Sequence, residues 1–199
     1  MRVNKIICSD KSWYIFHFKT LNSTMEEIKK NTYTKYDNLV IYSDSQSEGK
    51  GRNNNKWVSE RGNLYVSFKL TKLTLKQFFI LNYIIGLTVH EVIKRFLGVF
   101  KKLYIKWPND IILDNKKLAG NIIELFSIGK KIDSVFVGVG INIAHSPNNL
   151  EYLTTFLNAH TEKKVSIIEI IKLMLEEFSF WENNYNINFI ISMILTLTL

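Results

Sequence analysis

Four apolar segments follow one another closely in the second half of the sequence, at residues 103–107, 111–114, 118–125 and 132–143. They are rich in β-branched and aromatic residues, and short polar turns separate them, which is typical of strands. Short connections join antiparallel neighbours, whereas parallel strands need a crossover of a dozen residues or more. We therefore expect antiparallel pairing here, with a hairpin turn at residues 114–117.

The first half of the chain adds further strands and a polar loop. Residues 37–44 form a short β-branched run that ends at a loop rich in Ser, Asn and Gly, residues 45–56. Residues 63–70 then alternate between apolar and polar, which is the period of a half-buried strand. The sequence thus predicts two strands that flank the polar loop.

Helical periodicity occurs in two places. Apolar residues recur at three- to four-residue steps across residues 75–97, and Thr74 is placed to cap that helix. Residues 149–181 are also predicted to form helices with one apolar stripe. Strands in runs, with helices before and after them, predict an α+β fold: a mixed, mostly antiparallel sheet with helices packed on one face.

Length and composition limit the other possibilities. A chain of 199 residues is long enough for one sizeable core, so residues 1–185 are expected to form one domain. Residues 186–199 form a short apolar tail that is too short for a bilayer span and contains polar residues. We interpret this tail as a buried strand or the end of a helix, and we expect no membrane association.

Charge and cysteine content indicate the type of partner and the compartment. The net charge of +8 favours an anionic partner, although a solvated basic surface explains it equally well. The basic residues are dispersed, so a nucleic-acid-binding arm is not expected. The single cysteine, Cys8, cannot form an internal disulfide, and the amino terminus lacks the pattern of a secretory signal. These features favour a cytoplasmic protein.

The polar loop contains the segment Gly49-Lys50-Gly51-Arg52. Its glycines are expected to adopt positive φ angles and to let the backbone approach a ligand closely, so that exposed N–H groups can hold an anion. Arg52 can bind a carboxylate or phosphate through two parallel hydrogen bonds. Taken alone, such a segment is more often a mobile basic turn, and it lacks the spacing of a Walker loop.

A second cation precedes a proline, in Lys106-Trp107-Pro108-Asn109-Asp110. Pro108 stops strand pairing and makes the preceding residue extended, so Lys106 is predicted to end a strand and Asn109-Asp110 to make a tight turn into the next. A lysine in this place has little freedom. The alternative that spacing alone leaves open is a β-turn beside a surface lysine.

The order of these segments resembles the catalytic domain of biotin protein ligases, from about residue 16 to beyond residue 143. The matching segments are Asn22-Ser23-Thr24, residues 46–57, Gly62-Asn63-Leu64-Tyr65, Lys106-Trp107-Pro108-Asn109-Asp110, Lys117-Leu118-Ala119-Gly120 with Glu124, and Gly138-Val139-Gly140-Ile141-Asn142. The resemblance implies two steps. The carboxylate of biotin attacks the α-phosphate of ATP to give biotinyl-5′-AMP, and a lysine of a biotin carboxyl carrier protein or domain then takes the biotinyl group.

The resemblance also implies roles for particular residues, with Arg52 and Lys106 catalytic. The residues expected to bind biotin are Ser23, Thr24, Gln46, Gly49, Lys50, Gly51, Arg52, Lys106 and Gly120. Those expected to bind ATP or the adenylate are Arg52, Trp57, Lys106, Asn109 and Asn142. Mg²⁺ is expected to offset the polyphosphate charge, but the sequence does not identify its protein ligands. Ser23-Thr24 would otherwise cap a helix through Glu26 and Glu27, and Trp57 would otherwise be a core residue.

Several positions depart from the family pattern. Lys50 stands where arginine is usual, Asn53-Asn54-Asn55 replaces a more basic stretch, and Asn121 replaces an apolar residue. The carboxyl-terminal SH3-like domain common in the family is expected to be absent or truncated, and no amino-terminal DNA-binding domain is expected. A homodimer is possible. The competing hypotheses are a lipoate or octanoate transferase, a ligase that also represses transcription, and a weakly active or non-catalytic biotin-binding homologue.

Overall fold

The computed structural model describes residues 2–8, 11–98, 101–128, 131–148, 151–184, 186, 192 and 197. Within these residues the strands are β1 (Arg2–Cys8), β2 (Lys11–Phe18), β3 (Leu39–Ser43), β4 (Leu64–Thr71), β5 (Leu103–Lys106), β6 (Asp110–Leu113), β7 (Lys116–Ile128) and β8 (Lys131–Ile141). The α-helices in the same residues are α1 (Thr24–Glu27), α2 (Leu75–Lys94) and α3 (Ile167–Asn184). Most of the predicted apolar tail, and the predicted helix start at residue 149, lie outside the described residues.

The chain divides into two compact units. The first comprises Met1–Phe78 and Asn121–Gly140, and the second comprises Phe79–Gly120 and Ile141–Leu199. In the first unit the strand order is β1-β2-β3-β4-β8-β7, and in the second it is β7-β6-β5. Strand β7 contributes to both units because it passes from one to the other after Gly120.

The strands of the first unit form a mixed sheet. Strands β1 and β2 pair antiparallel, β2 and β3 pair parallel, and β3 and β4 pair antiparallel. The prediction of a mixed, mostly antiparallel sheet with helices is therefore confirmed. Strands β1 and β2 are not predicted from the sequence, because their apolar and polar residues alternate less regularly than those of β4.

A compact apolar cluster lies beneath α1 in the first unit. Its buried members are Phe16, Met25, Ile28, Tyr33, Leu39, Ile41 and Phe136. Gly138 in β8 permits a close approach, because a Cβ there would lie 2.9 Å from the Met25 sulfur and 3.0 Å from Ile122. The short helix α1 therefore packs closely on the sheet. This packing sets the position of Ser23 and Thr24 at the amino end of the helix.

Helix α2 begins with the predicted cap. The Thr74 hydroxyl accepts a hydrogen bond from the Gln77 backbone N–H at 3.2 Å, and the Gln77 side chain accepts one from the Thr74 N–H at 2.9 Å. This reciprocal pair is a capping box. The helix ends at Lys94, three residues before the predicted end, and single turns follow it. None of the described helices is long and apolar enough to span a membrane.

Two hairpins organise the second unit. Strands β5 and β6 pair with Lys106 opposite Asp110, and β6 pairs with β7. Asp114 and Asn115 join the latter pair with φ angles of 48° and 63°. Two left-handed residues in a two-residue loop identify a type I′ turn, so the predicted hairpin is confirmed.

The predicted helix from residue 149 is wrong for residues 151–166, which form irregular structure and one 3₁₀ turn at Leu157–Ala159. Thr154 bridges to Lys117 in parallel fashion, and the Thr155 N–H donates to the Lys117 carbonyl at 3.0 Å. The edge of β7 therefore supplies backbone partners that a helix would not use. The regular apolar stripe begins only at α3, where the helix prediction is confirmed.

Candidate functional site

A tightly folded loop, residues 46–59, follows β3 in the first unit. Backbone hydrogen bonds cross it from Gln46 to Ser59 at 3.0 Å, from Trp57 to Gly49 at 2.9 Å, and from Gly51 to Asn55 at 2.7 Å. These bonds join the two sides of the loop along its length. The loop is thus more ordered than its Gly- and Asn-rich sequence indicates.

The glycines of this loop allow close packing because they have no side chain. The predicted positive φ angles at Gly49 and Gly51 are wrong: Gly51 has a φ of −113°, and the left-handed residue of the loop is Asn53, with a φ of 54°. Gly49 is buried, and a Cβ on it would lie 2.4 Å from both the Trp57 carbonyl oxygen and the Ser59 hydroxyl. The close approach that the structure shows is to Trp57 and Ser59 of the loop itself, and the predicted close approach to a ligand stays a prediction.

A chain of hydrogen bonds connects α1, the loop and β4. The side-chain oxygen of Gln46 accepts from the Thr24 N–H at 2.7 Å and from the Thr24 hydroxyl at 3.1 Å. The Gln46 amide nitrogen donates to Ser59 at 2.9 Å, and Ser67 donates to the Thr24 hydroxyl at 2.9 Å. Sequence reasoning did not identify Ser59 or Ser67, because single serines in a loop or strand are common. The chain fixes the orientation of the Gln46 amide.

Ser23 is adjacent to this chain but does not take part in it. It occupies the N-cap position of α1, yet its side chain makes no capping hydrogen bond, so the alternative role as a helix-capping side chain is wrong for this residue. Ser23 is 2% exposed, and its hydroxyl has no hydrogen-bond partner among the described residues. A buried hydroxyl without a partner is costly. The site therefore has an open hydrogen-bonding position at Ser23.

Trp57 forms an apolar wall at the end of the loop. Its indole packs directly on Gly140 in β8, where a Cβ would lie 2.5 Å from a ring carbon. The side chain is half-buried, so part of it still faces solvent. Gly140 is thus required for the indole to pack against β8.

The loop contains three exposed cations, Lys50, Arg52 and Lys56. Lys50 forms an ion pair with Glu26 of α1, and Glu26 is also paired with Lys29 at 2.9 Å. The hydrogen bonds from Lys50 and Lys29 lower the pKa of Glu26 below its ordinary value. Arg52 lies in the 3₁₀ turn that follows. The loop therefore presents positive charge beside an ordered polar chain.

The second predicted cation, Lys106, is placed by strand pairing in the second unit. It ends β5, as predicted, and it is exposed, as the alternative of a surface lysine beside a turn expects. Asp110, opposite it across the hairpin, pairs instead with Lys117 at 2.8 Å. Trp107 stacks on Tyr83 with ring centroids 4.4 Å apart. An aromatic stack and an ion pair therefore hold the turn in place. Neither of these contacts involves the Lys106 ammonium group.

The remaining predicted residues of the second unit are held by backbone pairing. Gly120 is buried and pairs with Asp110 between β6 and β7. Asn142 is 3% exposed, and its amide nitrogen donates to the Thr155 carbonyl at 3.1 Å. The Thr155 hydroxyl in turn contacts His160 at 2.7 Å. Asn142 is therefore tied to the irregular segment that was predicted to be helical.

The predicted site residues are distributed over both units. The first unit contains Ser23, Thr24, Gln46, Gly49, Lys50, Gly51, Arg52 and Trp57, and the second contains Lys106, Asn109, Gly120 and Asn142. Hydrogen bonds, an ion pair or close packing join those of the first unit to one another or to neighbouring side chains. No three His, Cys, Asp or Glu side chains converge in the described ranges in a way that could hold a metal ion.

A family model supplies the relationship to known proteins. The model of the biotin/lipoate A/B protein ligase family matches residues 17–142. This chain belongs to that family. The match covers the loop, the Lys106 turn and Asn142, and it therefore includes every predicted site residue.

Several characterised members of the biotin/lipoate ligase family are similar in sequence. The bifunctional ligase/repressor BirA of Bacillus subtilis is 27% identical over 169 residues, which cover 81% of this chain and 51% of that protein. The biotin--[acetyl-CoA-carboxylase] ligase of Paracoccus denitrificans is 32% identical over 107 residues, or 52% of this chain and 43% of that protein. The chain thus spans about half, or less, of the length of these curated relatives.

Solved structures of family members share the fold. The biotin protein ligase of Leishmania major in complex with biotinyl-5-AMP matches with a TM-score of 0.81 and 23% identity, covering 93% of this chain and 81% of that one. The enzyme of Aquifex aeolicus in complex with biotin and ATP matches with a TM-score of 0.76 and 26% identity, covering 93% and 78%. The fold is therefore that of a biotin protein ligase catalytic domain.

Proposed function

We propose that this chain catalyses ATP-dependent biotinylation. In the first step the biotin carboxylate attacks the α-phosphate of ATP, which yields biotinyl-5′-AMP and pyrophosphate. In the second step a lysine of a biotin carboxyl carrier protein or domain attacks the acyl carbon, and AMP leaves. Family membership supports this proposal, as do the names of the similar proteins and the biotin, ATP and biotinyl-5-AMP bound in solved relatives.

The observation that carries the choice of biotin is the polar group around Ser23. The ureido ring of biotin has two N–H donors and one carbonyl acceptor. The Ser23 hydroxyl is buried and without a partner among the described residues, next to the Thr24 hydroxyl, which is fixed by Gln46. A buried polar group of this kind is satisfied when a ligand supplies the missing hydrogen bond. We assign Ser23 and Thr24 to the ureido end.

The cations then have a defined task. Both the attacking carboxylate and the ATP phosphates are anionic, so their approach is opposed by charge repulsion. Arg52 is proposed to bind the carboxylate and the adenylate phosphate, and Lys106 to stabilise the charge that develops at the α-phosphate. Gly49, Lys50 and Gly51 are assigned to biotin and its carboxylate, and Gly120 leaves room for the ring. Positioning and charge stabilisation supply the acceleration without a covalent enzyme intermediate.

Residues on the nucleotide side complete the assignment. Trp57, Asn109 and Asn142 are proposed to contact ATP or the adenylate. Mg²⁺ would offset the polyphosphate charge, but the described residues offer no cluster of three acidic, His or Cys ligands for it. Mg²⁺ commonly keeps several waters and binds through substrate phosphates with one or two carboxylates. We therefore assign no protein cage to the ion and no step to it. A cytoplasmic location and a homodimer remain predictions.

Pyrophosphate release tests the proposal. Purified protein is incubated with ATP and Mg²⁺, and release is compared among biotin, lipoate and octanoate. We expect release with biotin, and its loss in Lys106→Ala and Arg52→Ala. Release with lipoate or octanoate in place of biotin would instead identify a lipoate-type transferase. Binding of biotin without any release would identify a non-catalytic homologue.

The acceptor step needs its own measurement. Wild-type protein that has formed biotinyl-5′-AMP is mixed with an isolated biotin carboxyl carrier domain, and the mass of the carrier is followed. We expect the mass of one biotinyl group to be added at its acceptor lysine. A carrier in which that lysine is changed to arginine should remain unmodified.

A further inference from the structure

Four charged side chains of the first unit form a continuous ion-pair chain with alternating sign. Lys50 of the loop donates to Glu26 of α1 at 2.5 Å. Lys29, just after α1, donates to the same Glu26 oxygen at 2.9 Å and to Glu124 of β7 at 2.6 Å. We name this set Lys50–Glu26–Lys29–Glu124 the ion-pair chain. It ties the loop to α1 and to the sheet.

Glu26 links the ion-pair chain to the residues that are proposed to bind the ligand. Glu26 is three residues after Ser23 and two after Thr24, at the polar group assigned to biotin. Lys50 lies between Gly49 and Gly51 in the segment assigned to the anionic end of the ligand. The carboxylate of Glu26 thus occupies the ammonium group that a ligand carboxylate or phosphate would need.

The contact between these two residues is easily broken. The side chains of Lys50 and Glu26 are 46% and 47% exposed. Exposed ion pairs of this kind change an equilibrium constant by less than about fivefold. When Lys50 leaves, Glu26 keeps its ion pair with Lys29. The Glu26 carboxylate therefore still has a counter-ion. The pair can therefore open at small cost when a competing anion arrives.

The identity of Lys50 also favours exchange between two anions. An arginine has five donors in a rigid fork that matches the two oxygens of a carboxylate or phosphate. A lysine has a compact ammonium group on a flexible stem. It moves readily from one anion to another. Lysine at this position is one of the departures from the family pattern noted above.

From these observations we propose that Glu26 is a positioning residue that holds Lys50 in the ligand-free protein and competes with the bound acyl-adenylate for it. Glu26 thereby speeds release of biotinyl-5′-AMP from the loop. This inference rests on the proposed function for its ligand. The contact between Glu26 and Lys50 in the resting protein does not depend on that function and is tested separately.

The resting contact is tested by the reactivity of the Lys50 amine. Ligand-free wild type, Glu26→Gln and Glu27→Gln are treated briefly with acetic anhydride, and acetylation of each lysine is quantified by peptide mass spectrometry. Glu27 is the matched control, since it lies in the same helix but pairs with Lys30. We expect Lys50 to react about two- to fivefold faster in Glu26→Gln only. Lys72, which is paired with Asp37, serves as the internal reference. Equal Lys50 reactivity in all three proteins would overturn the resting contact.

The competition is tested by the release rate of biotinyl-5′-AMP. The rate is measured for wild type, Glu26→Gln, Lys50→Met and the double variant. We expect Glu26→Gln to slow release about two- to fivefold, and to have no effect when Lys50 is methionine. High salt should reduce the difference between wild type and Glu26→Gln. A general loosening of α1 would affect both backgrounds equally and would not respond to salt in this way.

The two measurements separate the possible failures. Faster release in Glu26→Gln would overturn the competition, because Glu26 would then help to retain the ligand. An equal effect in the Lys50→Met background would overturn it as well. If the wild type does not bind biotinyl-5′-AMP at all, the proposed function fails and the ligand half of this inference fails with it. The acetylation result then still decides whether Glu26 holds Lys50.

Discussion

The loop of residues 46–59 and the turn between β5 and β6 carry the two groups of predicted ligand-binding residues, and they are built differently. In the loop, side-chain hydrogen bonds among Thr24, Gln46 and Ser59 and the absence of a Cβ at Gly49 set the geometry. In the turn, strand pairing sets it, and Lys106 remains exposed at the end of β5. Neutral recognition groups are therefore held within a packed network of the first unit, whereas the cation Lys106 ends a strand of the second unit.

This difference predicts opposite consequences of mutation. A change in the loop disturbs packing and buried hydrogen bonds, so stability and ligand binding should fall together. A change at Lys106 removes an exposed charge, so the reaction should suffer while stability is preserved.

Lys106→Ala should lower the rate of biotin-dependent pyrophosphate release by about 10²- to 10³-fold, as expected when one preorganised charge-stabilising group is removed. The free energy of unfolding in urea should change by less than about 0.5 kcal/mol, because the side chain is exposed. Lys102→Ala is the matched control, since it removes an exposed lysine of the same region. Equal rates in the two variants would remove Lys106 from the catalytic residues.

Gly49→Ala should lower the free energy of unfolding by about 1–3 kcal/mol, because the added carbon would meet the Trp57 carbonyl oxygen at 2.4 Å. Biotin binding should weaken in the same variant. Gly98→Ala is the control, because a carbon there meets nothing within 4 Å. A Gly49→Ala protein as stable as Gly98→Ala would show that the loop is looser than its contacts indicate. Urea unfolding of all three proteins provides the comparison.

Ser23→Ala, next to the loop, should weaken biotin binding without lowering the free energy of unfolding. Its hydroxyl has no partner among the described residues, so removing it should leave the free energy of unfolding unchanged or raise it. The Michaelis constant for biotin should rise by about two- to tenfold, equivalent to one lost hydrogen bond. Thr88→Val removes another buried hydroxyl without a described partner and should leave that constant unchanged. An unchanged Michaelis constant in Ser23→Ala would contradict the assignment to the ureido ring.

The smallest effect is expected from pH, at His160 in the second unit. Burial, with a further contribution from Lys101, lowers the pKa of His160 below the ordinary value of 6.5. Below pH 6.5 the unfolded chain then binds more protons than the folded one, so this contribution to stability is complete above pH 6.5 and declines as the pH falls. His160→Gln should flatten the pH dependence of the unfolding free energy between pH 7 and 5. An identical slope in the variant would exclude His160 as its source.

The sequence anticipated much of this site but assigned a wrong conformation to one part of it. Local patterns located the loop, the helix cap at Thr74 and the hairpin turn at residues 114–117, because each depends on a few neighbouring residues. The same local reasoning assigned positive φ to Gly49, where the true constraint is contact with Trp57 and Ser59, up to ten residues away. It also extended the carboxyl-terminal helix into residues 151–166, whose backbone partners lie on β7.

The sequence by itself determined the family, the strands β3 to β8 and the identity of the candidate cations, because these follow from periodicity, turn chemistry and motif order. Only the tertiary structure decided which polar groups are satisfied and which remain open. It joined Thr24 to Gln46, left the Ser23 hydroxyl without a described partner and placed Glu26 on Lys50. Hydrogen bonds and ion pairs between distant residues depend on distances of a few tenths of an ångström. Such distances exist only once the chain has packed.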